Sequence, residues 1–121
     1  MASILVIDDD EQIRKLFRSV LEREGYEVKV APDGKQGILK YRENPADLII
    51  MDIIMPEQEG LEAILELKRD FHEVKIIAIS GGGQILAENY LIIAKNMGAM
   101  RTLSKPVQKS ELLKTVNELI G

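Results

Sequence analysis

The chain has 121 residues, the length of one domain, and we expect a single domain over residues 1–121. Hydrophobic residues make up 45% and charged residues 30%, a balance that is typical of a folded globular protein and excludes a disordered one. The net charge of -4, with no cluster of lysine or arginine, argues against direct binding of nucleic acid. The absence of cysteine excludes disulfides, thiolate metal sites and cysteine nucleophiles.

The N-terminal sequence MASILVIDDD becomes acidic too early for a signal peptide. No apolar run approaches the roughly 18 residues that a membrane-spanning helix needs. We therefore expect a cytoplasmic protein with no membrane contact, whose partners are small ligands and other proteins.

Five short segments predict strands. Three of them, ILVI at 4–7, LIIM at 48–51 and IIAI at 76–79, are apolar at every position and rich in β-branched residues. That pattern is typical of strands buried on both faces of a parallel sheet. EVKVA at 27–31 alternates as an edge strand does, and MRTL at 100–103 is a short fifth candidate.

A segment of helical periodicity follows each strand. Gly25 predicts the end of the first helix and Ser110 the N-cap of the fifth, while the second and fourth helices are predicted over 35–43 and 85–97. The predicted core faces are Ile13, Leu16, Phe17, Val20 and Leu21 in the first helix, Leu61, Ile64, Leu65 and Lys68 in the third, and Leu112, Leu113, Val116, Leu119 and Ile120 in the fifth. Strand and helix alternating five times predicts an α/β fold, a (βα)5 doubly wound parallel sheet with helices on both faces.

The fourth helical segment is more apolar than one buried face requires. A core stripe is predicted at Leu86, Tyr90, Ile93 and Met97, and Ile85, Leu91 and Ile92 widen it. Two interpretations stay open, a docking surface for a partner and deeper burial beneath the preceding loop.

Polar residues follow four of the strands. They are Asp8, Asp9 and Asp10 after the first strand, Asp52 after the third, Ser80 with Gly81, Gly82 and Gly83 after the fourth, and Lys105 after the fifth. In open parallel sheets, ligands bind beyond the carboxyl ends of the strands. We therefore expect these side chains to form one acidic pocket with a cation on its wall.

Converging carboxylates without histidine or cysteine suit a hard cation such as Mg2+, or Mn2+. Such an ion relieves the repulsion between Asp8, Asp9 and Asp52, and it leaves Asp52 able to attack a phosphoryl group that Lys105 and Ser80 contact. A simpler interpretation is also open for part of the set. Asp10 is expected to cap the first helix, Asp8 and Asp9 are favoured near its positive end, and a serine that ends a strand is usually a turn residue.

Four motifs in order, VIDD, DLIIMDIIMPEQEG, IAISGG and GAMRTLSKP, resemble the signatures of a response regulator receiver domain over the whole chain. The resemblance implies a flavodoxin-like sheet with strand order 2-1-3-4-5. It also implies a phosphoacceptor signalling protein rather than an enzyme. Since nothing follows Gly121 in the sequence, we expect a stand-alone receiver, with a receiver cut from a longer regulator as the open alternative. The expected partners are a sensor histidine kinase or histidine phosphotransfer protein and an unidentified downstream protein, with a homodimer possible through the 85–121 face.

The same resemblance assigns roles to single residues. Asp52 accepts the phosphoryl group, Asp9, Asp52 and the backbone carbonyl of Ile54 ligate Mg2+, and Asp8 acts through water. Lys105 contacts the phosphoryl group and is followed by a cis peptide bond to Pro106.

One position departs from the family pattern, and two others stand where similar domains vary the access of water to the site. Thr102 stands where similar domains usually carry an aromatic residue that moves inward on phosphorylation, so another readout is needed here. Ile54 and Gly82 stand at positions that, in similar domains, tune how easily water reaches the phosphoryl group.

Two other functions compete with the receiver. A small Mg2+-dependent phosphatase of the haloacid dehalogenase type would use Asp8 and Asp10, but Gln12 stands where such enzymes carry Thr or Val. A flavodoxin-like cofactor carrier needs hydroxyls and glycine after the first strand, where DDDEQ would repel a phosphate.

Overall fold

The computed structural model describes residues 2–53, 59–81 and 92–121. Within them strand and helix alternate: β1 Ser3–Ile7, α1 Glu11–Arg23, β2 Glu27–Ala31, α2 Gly34–Glu43, β3 Leu48–Asp52, α3 Glu59–Asp70, β4 Ile76–Ser80, α4 with helical residues 92–97, β5 Arg101–Ser104 and α5 Lys109–Ile120. The predicted start of the fourth helix, 85–91, lies outside the described residues.

The strands form one parallel sheet in the order β2-β1-β3-β4-β5, as the resemblance implied. In this register Ile7 lies beside Met51, Asp52 beside Ile79 and Ser80 beside Ser104. The carboxyl ends of β1, β3, β4 and β5 therefore lie at one edge of the sheet.

Two apolar clusters lie on the two faces of the sheet. Alternate residues of β1 enter different clusters, because successive side chains of a strand point to opposite faces: Ile4 and Val6 pack with α1 and α5, and Leu5 and Ile7 pack with α2 and α3. Burial on both faces is the physical reason why the central strands are apolar at every position.

The ends of two helices follow from local chemistry. The Asp10 carboxylate accepts a hydrogen bond of 2.8 Å from the Gln12 N–H, so Asp10 is the N-cap of α1, as predicted. Past the other end of α1, Gly25 adopts φ +92°, a conformation that glycine takes without strain, and the predicted helix end is confirmed.

Some details of the helices were predicted wrongly. Helix α5 begins at Lys109 after Gln108, which makes no side-chain cap hydrogen bond, so Ser110 lies inside the helix and is not its N-cap. Leu16 and Leu65, predicted to face the core, are 53% and 50% exposed, because a helix on a sheet buries a narrower stripe than its apolar residues span. In α4, Ile93 is 40% exposed and the neighbouring Ala94 is fully buried in its place.

Candidate functional site

Three aspartates meet at the carboxyl edge of the sheet. Asp8 directly follows β1, and Asp52 is the last residue of the neighbouring strand β3. One carboxylate oxygen from each of Asp8, Asp9 and Asp52 lies within 4.8 Å of the others. Asp8 and Asp52 are only 2% and 4% exposed, whereas Asp9 is exposed, so the cluster has a buried floor and an open side.

Lys105 contacts both buried carboxylates. Its Nζ lies 3.1 Å from Oδ2 of Asp8 and 3.1 Å from Oδ2 of Asp52. Burial alone lowers the pKa of this lysine, but the attraction of Asp52 and Asp8 and the hydrogen bonds to both outweigh burial, so its pKa lies above the ordinary value. The ammonium therefore stays charged, yet one cation does not neutralise three carboxylates.

Every polar group of Asp8 has a partner. Its N–H donates to the Ala31 carbonyl at 3.1 Å, and its Oδ1 accepts from the Asp10 N–H at 2.8 Å. Its own carbonyl oxygen accepts a hydrogen bond of 2.7 Å from Nη1 of Arg14. The sequence analysis did not single out Arg14. The available sequence signal was its charge. Arg14 lies near the N-terminus of α1, where the helix dipole disfavours a cation, so a specific partner is expected for it.

Ser80 ends β4 with its side chain wholly buried. Its hydroxyl oxygen makes no hydrogen bond within the part of the chain that the structure describes. The Ser80 carbonyl accepts a hydrogen bond of 2.8 Å from the Lys105 N–H, which ties this strand end to the lysine. Next to it, a Cβ atom on Gly81 would lie 2.9 Å from Cδ of Lys105, so the missing side chain leaves room for the lysine stem.

The predicted site residues separate into three groups. Asp8, Asp9, Asp52 and Lys105 lie together, and Ser80 lies at the same sheet edge. Asp10 caps α1 instead. Ile54, Gly82 and Gly83 lie outside the described residues.

Two further predictions concern β5 and the turn after it. The Lys105 to Pro106 peptide bond is cis, as the resemblance implied. Thr102 lies beside Ala78 of β4 and is half-buried.

The donor set fits a magnesium ion. All three side chains of the cluster offer carboxylate oxygens, which are the ligands that hard divalent cations prefer. Two of these carboxylates are buried beside a single ammonium, and the third is open to solvent. Asp8, Asp9 and Asp52 are therefore the residues that would hold the ion.

Residues 4–117 match the family described as the response regulator receiver domain. The chain belongs to this family. The receiver domain is 35% identical over 119 residues to the chemotaxis protein CheY of Bacillus subtilis, a match that covers 98% of the chain and 97% of that protein. It is 33% identical over 117 residues to the chemotaxis protein CheY of Thermotoga maritima, covering 96% of the chain and 95% of that protein.

Among solved structures, the receiver domain resembles a response regulator receiver domain protein from Clostridium thermocellum. The TM-score is 0.89 at 32% identity, and the match covers 99% of this chain and 94% of that one. These similarities confirm the flavodoxin-like fold and the function of a response regulator receiver. They do not support the phosphatase alternative, and Asp10, which that alternative needs, caps a helix. No helix within the described residues is both long and apolar enough to cross a membrane.

Proposed function

We propose that Asp52 of this receiver domain accepts a phosphoryl group from a phosphohistidine in a Mg2+-dependent reaction. The observation that carries the proposal is the placement of one nearly buried carboxylate beside two other carboxylates and a lysine ammonium. A solvated loop residue would be exposed, whereas Asp52 is buried among other charged side chains. Its place at the end of β3, at the edge where parallel sheets bind ligands, supports the same conclusion.

The proposed step is an in-line displacement at phosphorus. A carboxylate oxygen of Asp52 forms the new O–P bond, the N–P bond of the phosphohistidine breaks, and the electron pair of that bond leaves with the imidazole. Catalysis of such a transfer consists mostly of positioning and of charge stabilisation. The product is an aspartyl phosphate.

Lys105 and Ser80 are proposed to bind the transferred group. The Lys105 ammonium already lies 3.1 Å from the Asp52 carboxylate. It is therefore close enough to bind the negatively charged oxygens of a phosphoryl group on Asp52. The Ser80 hydroxyl, buried and without a partner among the described residues, can donate to one of these oxygens. A ligand oxygen there would satisfy a group whose burial otherwise costs stability.

When bound by Asp8, Asp9 and Asp52, Mg2+ supplies positive charge that offsets the repulsion between these carboxylates and an incoming phosphoryl group. The fold itself holds the three carboxylates together. In the metal-free protein their mutual repulsion lowers stability. The backbone carbonyl of Ile54 is proposed as a further ligand from the family resemblance alone.

Receiver domains interact with histidine kinases and downstream effectors. We propose a sensor histidine kinase or a histidine phosphotransfer protein as the donor, a protein effector as the output, and one domain over residues 1–121. The match to the family over residues 4–117 and the single sheet support the last point. In this role the chain is modified once per signal rather than turning over a substrate.

A phosphorylation assay tests the proposed acceptor. The protein is incubated with Mg2+ and acetyl phosphate and its intact mass is measured, with the expectation of one acid-stable, base-labile phosphoryl adduct. Asp52→Asn should show no adduct. The matched control is Asp47→Asn, because Asp47 precedes the same strand at its opposite end. An adduct in Asp52→Asn, or turnover of phosphate esters without an adduct, would overturn the proposal.

Three exposed apolar side chains mark the proposed docking or dimer surface. Ile92 and Ile93 of α4 and Met100 beside β5 are 61%, 40% and 39% exposed, and all three belong to the 85–121 face. Sedimentation velocity of the protein with and without acetyl phosphate tests self-association there. Ile92→Glu should abolish any dimer, and Leu39→Glu, which alters a leucine of α2 that is 53% exposed, should not.

A further inference from the structure

We propose that Arg14 is a positioning residue for the metal site: its guanidinium fixes the turn that carries Asp9 by donating a hydrogen bond to the Asp8 carbonyl, which directly precedes Asp9. This inference rests on the proposed Mg2+ site and adds a residue to it. Arg14 touches none of the three carboxylates in the described structure, and its action would pass through the backbone.

The Arg14 side chain holds the peptide group that enters Asp9. Its Nη1 donates to the carbonyl of Asp8 at 2.7 Å. The backbone N–H of Arg14 also donates to the carbonyl of Asp10 at 3.1 Å, but that is the ordinary helical hydrogen bond that the main chain makes whatever the side chain. A charged donor on a peptide carbonyl makes a strong and directional hydrogen bond, so the peptide plane that joins Asp8 to Asp9 has little freedom to rotate.

Asp9 depends on this arrangement more than its neighbours do. The carboxylate of Asp8 is held by the Asp10 N–H and by Lys105, and that of Asp10 is held by the Gln12 N–H. The Asp9 carboxylate is exposed and has no hydrogen bond in the described part of the chain. The point from which it reaches the metal site is therefore set by the backbone of the turn, and the Arg14 guanidinium is the side-chain donor that holds the Asp8 carbonyl of that turn.

An electrostatic role and a positioning role of Arg14 predict opposite changes in Mg2+ affinity when the guanidinium is removed. Removing a positive charge beside an acidic site should by itself favour cation binding. Losing the anchor of the turn should weaken binding, because groups that orient metal ligands typically contribute about 10-fold or more to metal affinity. The sign of the change therefore separates a positioning role from a purely electrostatic one.

Arg14→Met is the test variant, since methionine keeps an unbranched apolar stem and removes every donor. Arg18→Met is the matched control: it removes the same charge one turn along the same helix, where, among the residues that the structure describes, Arg18 pairs only with the exposed Glu22. Mg2+ affinity is measured by titration calorimetry on the whole chain at fixed ionic strength, and metal-free stability is measured by circular dichroism melting.

We expect Mg2+ affinity to fall about 10-fold in Arg14→Met and to stay within about 2-fold of wild type in Arg18→Met. Unchanged or tighter binding in Arg14→Met, or equal weakening in both variants, would overturn the inference. A lower melting temperature with unchanged affinity would reveal a structural role only, and would also overturn it. If Arg14→Met does not fold, Arg14→Gln, which shortens the side chain and removes the guanidinium, carries the same expectation. No Mg2+ binding by the wild-type protein would overturn the proposed metal site itself.

Discussion

A Cβ atom on Gly60 would lie 2.7 Å from the carbonyl oxygen of Asp52. It would also lie 2.5 Å from Cα of Ile53, and neither backbone atom can rotate out of the way. Helix α3 therefore packs its first turn directly against the backbone that carries the proposed phosphoacceptor. Only a glycine permits so close an approach.

Gly60→Ala should lower stability and slow phosphorylation. Alanine favours a helix over glycine by about 1 kcal/mol, whereas overpacking a close contact costs about 1–3 kcal/mol. Because the contact is with backbone, we expect the upper part of that range and a net loss of about 1–2 kcal/mol, measured by urea unfolding. The rate of adduct formation from acetyl phosphate should fall as well, since relief of the clash displaces Asp52.

Gly25→Ala is the control for this substitution. Its Cβ would meet no atom within 4 Å, but the backbone there has φ +92°, so alanine should cost about 1 kcal/mol through strain alone. Gly25 closes α1 and lies far along the chain from Asp52, so its substitution should leave the phosphorylation rate unchanged. Equal rates in the two variants would contradict the role given to Gly60.

Mg2+ should stabilise the protein against heat. At 10 to 100 times its dissociation constant, an ion that binds only the folded state adds about 1–3 kcal/mol. Asp9→Asn should abolish this response and should raise the stability of the metal-free protein, because it removes one charge from a repelling cluster. Thermal melts with and without Mg2+ measure both effects.

Asp10→Asn is the matched control, because it removes the same charge from the next residue. Asparagine caps a helix as well as aspartate does, so α1 should keep its N-terminus. The Mg2+ response should survive in this variant. A response that disappears in both variants, or in neither, would count against Asp9 as a ligand.

Ser80→Ala should affect the two states of the protein in opposite directions. In the unphosphorylated protein the buried hydroxyl has no partner among the described residues, and removing it should be neutral or stabilise by up to about 1 kcal/mol. In the phosphorylated protein the same change removes a donor from the phosphoryl group. The melting temperature should therefore rise less on phosphorylation in Ser80→Ala than in the wild type. A loss of more than about 1 kcal/mol before phosphorylation would mean that the hydroxyl has a partner in that state.

Asp70 makes the folding stability of the protein depend on pH in the acid range. Hydrogen bonds from Arg69 and Arg42 hold the pKa of its carboxyl well below the ordinary value of 3.8. Since the folded state then binds a proton less readily than the unfolded chain, the stabilisation is complete above the ordinary pKa and is lost as the pH falls below it. Asp70→Asn should lower stability at neutral pH, and its difference from the wild type should narrow between about pH 5 and pH 2.

The network around Asp70 lies at the surface, so salt should screen it. The difference between Asp70→Asn and wild type at neutral pH should shrink in 1 M salt, where the screening length is about 3 Å. Glu73→Gln, at an exposed carboxylate with no hydrogen bond among the described residues, is the control for the general effect of charge. A difference that is constant with pH would refute the pairing of Asp70 with the two arginines.

The sheet and most of the site were predictable because their signals are local. A strand buried on both faces must be apolar at every position, so the runs at 4–7, 48–51 and 76–79 indicated the central strands. The rule that parallel sheets bind ligands at their carboxyl edge then indicated Asp8 and Asp52 without any distance being known. The order of the strands came only from the family resemblance.

The amino-acid sequence by itself determined the alternation of strand and helix, the two-sided core and the acidic edge, because residue type and spacing along the chain set all three. Only the tertiary structure decided which apolar helix residues are buried, and it exposed Leu16 where periodicity predicted burial. It also decided that Arg14 binds the Asp8 carbonyl and that Gly60 lies against Asp52. These are distances of a few ångströms that depend on how whole helices pack on the sheet, and the spacing of residues along the chain does not fix them.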